Sequence, residues 1–77
     1  MESKTIQLLD VVALTVDLPQ CNLQKGQVGT VVEILAEGAA FEVEFSDPNT
    51  GQTYESLGLR SEQIMVLHFE PVSLNRT

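Results

Sequence analysis

Residues 25–35, KGQVGTVVEIL, decide the fold of this chain. Two glycines three positions apart open the stretch and β-branched residues follow, so the pattern predicts a sharp turn that leads into a long strand. Residues 41–45, FEVEF, come shortly afterwards and alternate strictly between apolar and acidic side chains. Such alternation is typical of a strand with one buried face and one charged face. Together the two stretches predict a β-hairpin.

A hairpin tip at Gly38 and Ala39 predicts which residues pair across these two strands. The predicted pairs are Ile34 with Val43, Val32 with Phe45, and Ala36 with Phe41. The predicted inner face then consists of Val32, Ile34, Phe41, Val43 and Phe45. On the outer face this register places Glu33 opposite Glu44, with Glu42 beside them, and leaves Val31 and Leu35 uncovered.

Further short strands are predicted on both sides of the hairpin. Residues 5–16 are compatible with an amphipathic helix, but their β-branched side chains and the lack of a helix cap favour a strand at 9–14. The turn residues at 46–51 lead into a fourth strand at 52–57, and a single helical turn at 60–63 precedes a last strand at 64–67. This pattern predicts an all-β fold, a small five-stranded SH3-like barrel with one short 3₁₀ turn before the last strand.

Length and composition limit the organisation of the protein. The 77 residues suffice for one domain, which we place at residues 6–68, between a flexible N-terminus at 1–5 and a C-terminal tail at 69–77. The single cysteine, Cys21, offers no internal disulfide. No cluster of basic residues precedes residues 6–16, as it would in a signal peptide. The stretch is also shorter than the run of about 20 apolar residues that a membrane-spanning helix needs. We therefore expect a cytoplasmic protein that does not enter membranes.

Charge disfavours two classes of partner. Eleven acidic and four basic residues give a formal net charge of −7, and only Lys25 and Arg60 are basic between residues 5 and 70. Nucleic-acid binding draws most of its affinity from lysine and arginine at the phosphates, and anionic membranes attract the same residues. A basic protein is the partner that this charge favours.

The predicted outer face supplies the candidate binding site. Glu33, Glu42 and Glu44 would form an acidic rim around Val31 and Leu35, and this surface would bind a basic protein. A solvated face without a partner is the alternative. A metal site is disfavoured because hard cations need oxygen ligands that converge from a loop, and no cofactor is predicted.

Catalysis and proline-motif binding have weak support. Cys21 and His68 are a conceivable nucleophile and base, but no third orienting group accompanies them, so we predict that the protein is not an enzyme. Tyr54 is aromatic like the groove residues of peptide-binding SH3 domains, yet the loop at 17–24 has no aromatic residue. Tyr54 is better explained as a packing residue.

Two resemblances bear on function. Residues 26–31, GQVGTV, resemble the glycine-containing strand motif of KOW-type barrels that bind RNA. From about residue 8 to 68 the chain resembles an uncharacterised family of small bacterial, often cyanobacterial, proteins. The stretches that carry this match are residues 9–12 (LDVV), 26–33 (GQVGTVVE) and 41–45 (FEVEF), with Leu18-Pro19, Gly51, Thr53-Tyr54 and Leu57. The resemblance implies an SH3-like barrel and no established activity, and some members resemble small partners of other proteins.

We therefore expect a non-enzymatic protein-protein interaction module, the small partner or neutralising subunit of a basic protein. The alternative is a nucleic-acid or ribosome-associated barrel of the KOW type. Formation of a homo-oligomer through an edge strand stays open.

Overall fold

A computed structural model describes residues 5–47 and 49–68 and shows one antiparallel five-stranded sheet. The strands are β1 (Val11–Leu14), β2 (Val28–Leu35), β3 (Ala40–Ser46), β4 (Thr53–Arg60) and β5 (Ile64–Val66). They are arranged in the order β4-β3-β2-β1-β5. Short 3₁₀ turns occur at Pro19–Cys21, Ala36–Gly38 and Ser61–Gln63. The predicted all-β fold, its five strands and the 3₁₀ turn before the last strand are confirmed.

The first predicted strand begins two residues later than expected. Leu9 has a φ of 72°, and the Asp10 carboxylate accepts a hydrogen bond of 2.8 Å from the backbone N–H of Gln7. An aspartate that bonds to nearby backbone in this way stabilises a turn. Residues 7–10 therefore form a turn, and β1 begins at Val11.

The turn before β2 forms as predicted. Gly26 has a φ of 95°, a conformation that other residues adopt at a cost. Its backbone N–H bonds to the carbonyl oxygen of Leu14 at 2.9 Å, and the N–H of Leu14 bonds to the carbonyl of Gln27 at the same distance. The turn is thereby joined to the end of β1, which aligns β2 beside it.

The two halves of the sheet curve around one hydrophobic core. Phe41, Val43 and Phe45 are buried, as the alternation in residues 41–45 predicted. The loop between β1 and β2 adds Leu18 and Leu23, whose backbones pair with each other. The other members of the core cluster are Val12, Leu14, Val31, Leu59 and Ile64. Since β1 and β5 contribute to the same cluster as β3 and β4, the sheet must bend, and β2 is the strand that both halves share.

An irregularity in β2 corrects the predicted register. Next to the hairpin tip, Leu35 pairs with Ala40 and Ile34 pairs with Phe41. A bulge lies between Val31 and Glu33, and on the far side of the bulge from the tip Val31 pairs with Val43. The predicted pairs Ile34–Val43, Val32–Phe45 and Ala36–Phe41 are therefore wrong. The connection at the tip is also longer than assumed, because Ala36, Glu37 and Gly38 all have positive φ and form a left-handed turn between the two strands.

The bulge reverses the faces of two adjacent valines. One extra residue in a strand moves all side chains beyond it to the opposite side of the sheet. Val31 is fully buried, whereas Val32 is 38% exposed and does not belong to the core. Ile34 is on the same side as Phe41, its partner, but is 43% exposed. The predicted inner face is thus correct for β3 and wrong for Val32.

Parts of the domain prediction fall outside the described residues. The flexible N-terminus was predicted at 1–5, of which only residue 5 is described, and the tail at 69–77 is not described. No helical segment of the described residues has the length and apolar character of a membrane span.

Candidate functional site

Three glutamates lie together on the outer face, which is the side of the sheet turned away from the core. Glu33 in β2 pairs directly with Glu42 in β3. Glu44 follows two residues further along β3 and faces the same side as Glu42. We call Glu33, Glu42 and Glu44 the acidic patch. The predicted clustering is confirmed, with the difference that Glu33 is opposite Glu42 and Glu44 is opposite Thr30.

Neighbouring groups on the outer face leave the charge of the acidic patch uncompensated. The hydroxyl of Ser56 donates a hydrogen bond of 2.6 Å to Oε2 of Glu42, which orients that carboxylate but adds no positive charge. Arg60 lies on the same face, in the pair with Ala40. Its Nε bonds instead to Oε2 of Glu62 at 2.9 Å, and this is the one ion pair within residues 5–47 and 49–68.

Leu35 lies beside the acidic patch as a partly exposed apolar group. It pairs with Ala40 on the outer face, and a Cβ placed on Gly58 would be 3.6 Å from its Cδ1. The leucine side chain therefore extends across β3 towards β4, where a glycine leaves room for it. The prediction that Leu35 is on the outer face is confirmed, although the residue is half-buried.

Val31 does not belong to this surface. It was predicted to be the second apolar group at the centre of the acidic rim, but the bulge in β2 turns it into the core, where its exposure is 0%. The candidate binding surface is corrected accordingly: of the predicted set, Glu33, Leu35, Glu42 and Glu44 lie on the outer face and Val31 does not.

A second group of outer-face residues was missed by the sequence reasoning. Ala13 in β1 pairs with Val28 in β2 on one side and with Met65 in β5 on the other. Val28 is 50% exposed and Met65 is 53% exposed, whereas Ala13 between them is 8% exposed. We call Val28, Ala13 and Met65 the apolar row. Its sequence signal was hidden because the three residues come from three separate strands.

An open groove of about 330 Å³ lies on another part of the surface. The exposed Ile34 is part of its wall, and among the described residues Glu37 is its one acidic lining residue. The other lining residues are Thr5, Ile6, Gly38, Phe41 and Ser61.

The residues that were weighed for catalysis are placed in different surroundings. Cys21 ends a 3₁₀ turn and is partly buried against the core, whereas His68 is exposed at the end of the described chain. No group of three or more histidine, cysteine, aspartate or glutamate side chains with the geometry of a metal site occurs in the described part of the chain. The side chain of Tyr54 lies outside what the structure describes, so its predicted packing role stays a prediction.

Comparison with known families gives one result. Residues 8–66 match the family model described as a domain of unknown function, DUF4926. The chain belongs to the DUF4926 family. The match spans all five strands, from the turn before β1 to the last residue of β5. No curated protein and no solved structure matches the chain significantly. Membership of DUF4926 assigns no activity to the chain.

Proposed function

We propose that this protein is a non-enzymatic interaction module that binds a basic protein through the outer face of its sheet. In this proposal it is a cytoplasmic protein with an SH3-like barrel that acts as a small partner or neutralising subunit. The observation that carries the proposal is the acidic patch: Glu33, Glu42 and Glu44 share one face, and none of them pairs with a cation among the described residues.

The electrostatics of the acidic patch favour a partner of opposite charge. Glu33 and Glu42 are directly opposite each other, an arrangement that destabilises a sheet when the charges are alike. Two carboxylates about 7 Å apart in water repel by roughly 0.6 kcal/mol before screening by salt. A lysine or arginine between them would replace this repulsion with attraction. The strands fix the backbone of all three glutamates and Ser56 orients the Glu42 carboxylate, so no backbone ordering is needed there on binding.

The same face disfavours the KOW-type alternative. A barrel that binds RNA needs lysine and arginine at the phosphates. The described residues carry Lys25 in the turn before β2 and Arg60, whose guanidinium is bound to Glu62. The glycine motif at residues 26–31 is accounted for by the turn at Gly26 and by the packing of Phe45 against Gly29.

The test compares three baits in a lysate of the organism that encodes the protein. The first is the unaltered chain, and the second carries Glu33→Gln, Glu42→Gln and Glu44→Gln. The third is a control with the same net charge, which carries Glu37→Gln, Asp47→Asn and Glu55→Gln, all outside the acidic patch, and which leaves the pair of Arg60 with Glu62 intact. Glutamine retains an oxygen that can accept the bond from Ser56, so the second bait should fold normally.

We expect the unaltered chain and the control to retain one basic protein at a fixed ratio, and the acidic-patch variant to lose it. Because surface charges are screened by salt, the same protein should elute as the salt concentration rises. Equal retention by all three baits, or recovery of the bait alone, would contradict the proposal.

A further inference from the structure

We propose that the binding surface extends from the acidic patch onto the apolar row, and that it binds an amphipathic basic segment of another protein. Such a segment places aliphatic side chains against Val28, Ala13 and Met65, and lysine or arginine against the glutamates. This inference rests on the proposed function and specifies the chemistry of the partner.

The register of the sheet connects the two regions. Thr30 pairs with Glu44 on one side and with Val11 on the other. Val28 precedes Thr30 by two residues and is therefore on the same face, diagonal to Glu44. Diagonal neighbours in a sheet are about 7–8 Å apart, so the first residue of the apolar row is within reach of the side chain that binds Glu44.

The whole surface is small enough for one short segment. Met65 in β5 and Glu44 in β3 are separated by three strand spacings, which amount to about 14 Å at 4.7–4.9 Å each. This distance follows the curved outer surface, so the segment must bend with the sheet, and an extended segment of about five residues covers it. A single segment can therefore contact both regions at once.

The exposure of the apolar row indicates that it is available for contact. Val28 and Met65 are each about half exposed, and they cover Ala13 between them, so the row forms a continuous apolar strip across three strands. Val28 and Met65 flank Ala13 on the strands to either side of it, and the solvated face of an antiparallel sheet normally carries polar residues at such positions. On this face β2 contributes Thr30 and Glu33, and β3 contributes Glu42 and Glu44, whereas the three paired positions of the apolar row carry no polar side chain.

The charge of the protein distinguishes between two binding partners that could cover the apolar row, a second copy of the chain and a basic segment of another protein. A second copy of the chain could cover the apolar row, but it would bring another acidic patch and a net charge of −7 with it. A basic segment covers the same apolar area and gains attraction from the glutamates. The observations therefore favour a basic partner over self-association.

The probes are three labelled synthetic peptides of equal length, each built of two halves so that both kinds of side chain can face the sheet: a leucine half with a lysine half, a serine half with a lysine half, and a leucine half with a glutamate half. Binding is measured by fluorescence anisotropy at low and at moderate salt. The unaltered chain should bind the leucine-lysine peptide about tenfold more tightly than the serine-lysine peptide, since tenfold is a modest gain for burying several aliphatic side chains. It should not bind the leucine-glutamate peptide.

Two double variants test the apolar row. Val28→Ser with Met65→Ser should abolish the preference for leucine over serine while binding of the serine-lysine peptide remains. Leu8→Ser with Val32→Ser is the matched control, because it removes two exposed aliphatic side chains outside the row, and it should preserve the preference. Far-UV circular dichroism verifies that both variants are folded.

Several results would overturn the inference. An unchanged preference in the Val28 and Met65 variant would exclude the apolar row and leave the acidic patch as the binding site. If light scattering showed a dimer of the unaltered chain that becomes monomeric in this variant, the apolar row would be a self-association surface instead. If the triple glutamine variant bound both lysine peptides as tightly as the unaltered chain, the proposed function would fail together with the inference.

Discussion

Replacing Gly29 with alanine should destabilise this protein more than any other change of a single methyl group that we consider. Gly29 lies in β2, opposite Phe45, and is buried. A Cβ at this position would be 2.7 Å from Cγ1 of Val43 and 2.9 Å from Cδ1 of Phe45. Preferred separations between carbon atoms are about 3.5–4.0 Å, so the new methyl group would overlap two core side chains by close to 1 Å.

The overlap cannot be relieved by side-chain movement alone. The same Cβ would be 2.9 Å from the backbone carbonyl oxygen of Glu44, which belongs to the paired strand β3. Overpacking a core costs about 1–3 kcal/mol, and a clash with a fixed backbone atom favours the upper part of that range. With a loss of about 2–3 kcal/mol, the midpoint of thermal unfolding should fall by about 10–20 °C, because a domain of this size loses about 4–8 °C per kcal/mol.

Gly58→Ala is the matched control. Gly58 is also a strand glycine, but a Cβ there would be 3.6 Å from Cδ1 of Leu35, which is an ordinary contact. Urea unfolding followed by circular dichroism should show a lower midpoint with an unchanged m-value for Gly29→Ala. For Gly58→Ala it should show a free energy of unfolding within about 0.5 kcal/mol of that of the unaltered protein. Equal stability of the two variants would refute the close packing of β2 against Val43 and Phe45.

Two further predictions test the irregular parts of the hairpin. Val31→Ala should lower the free energy of unfolding by about 2 kcal/mol because Val31 is fully buried, whereas Val32→Ala should cost under about 1 kcal/mol. Urea unfolding of both variants checks this, and a larger loss for Val32 would contradict the bulge. Glu37 has a φ of 56°, a left-handed conformation that costs a non-glycine residue about 1–2 kcal/mol. Glu37→Gly should therefore raise the thermal midpoint by a few degrees, since the relief exceeds the backbone entropy that glycine loses. Glu37→Gln retains the strain, so a rise of the same size in that variant would show that charge is the cause.

Local patterns were sufficient to predict most of the fold. The alternation in residues 41–45 correctly assigned Phe41, Val43 and Phe45 to the core. Turn residues correctly separated the strands, and the 3₁₀ turn formed directly before β5 as expected. These features depend on neighbours along the chain, and a single sequence contains that information.

The candidate site was predicted in part. Glu33 and Leu35 lie between the bulge and the hairpin tip, where the predicted faces remain correct, and the alternation of β3 places Glu42 and Glu44 beside them. Val31 was assigned to the wrong face because an uninterrupted strand was assumed. No residue in the run of β-branched side chains at 30–32 marks the extra position.

The amino-acid pattern alone thus determines that the chain forms a hairpin-centred β-sheet with carboxylates on one side, because periodicity and turn chemistry act over a few neighbouring residues. Tertiary structure decides which of the two adjacent valines enters the core. It also assembles Val28, Ala13 and Met65 into one exposed row. The first outcome depends on a bulge in the pairing of β2 with β3, and the second on the pairing of β1 with both β2 and β5; neither register can be read from residues that are neighbours along the chain.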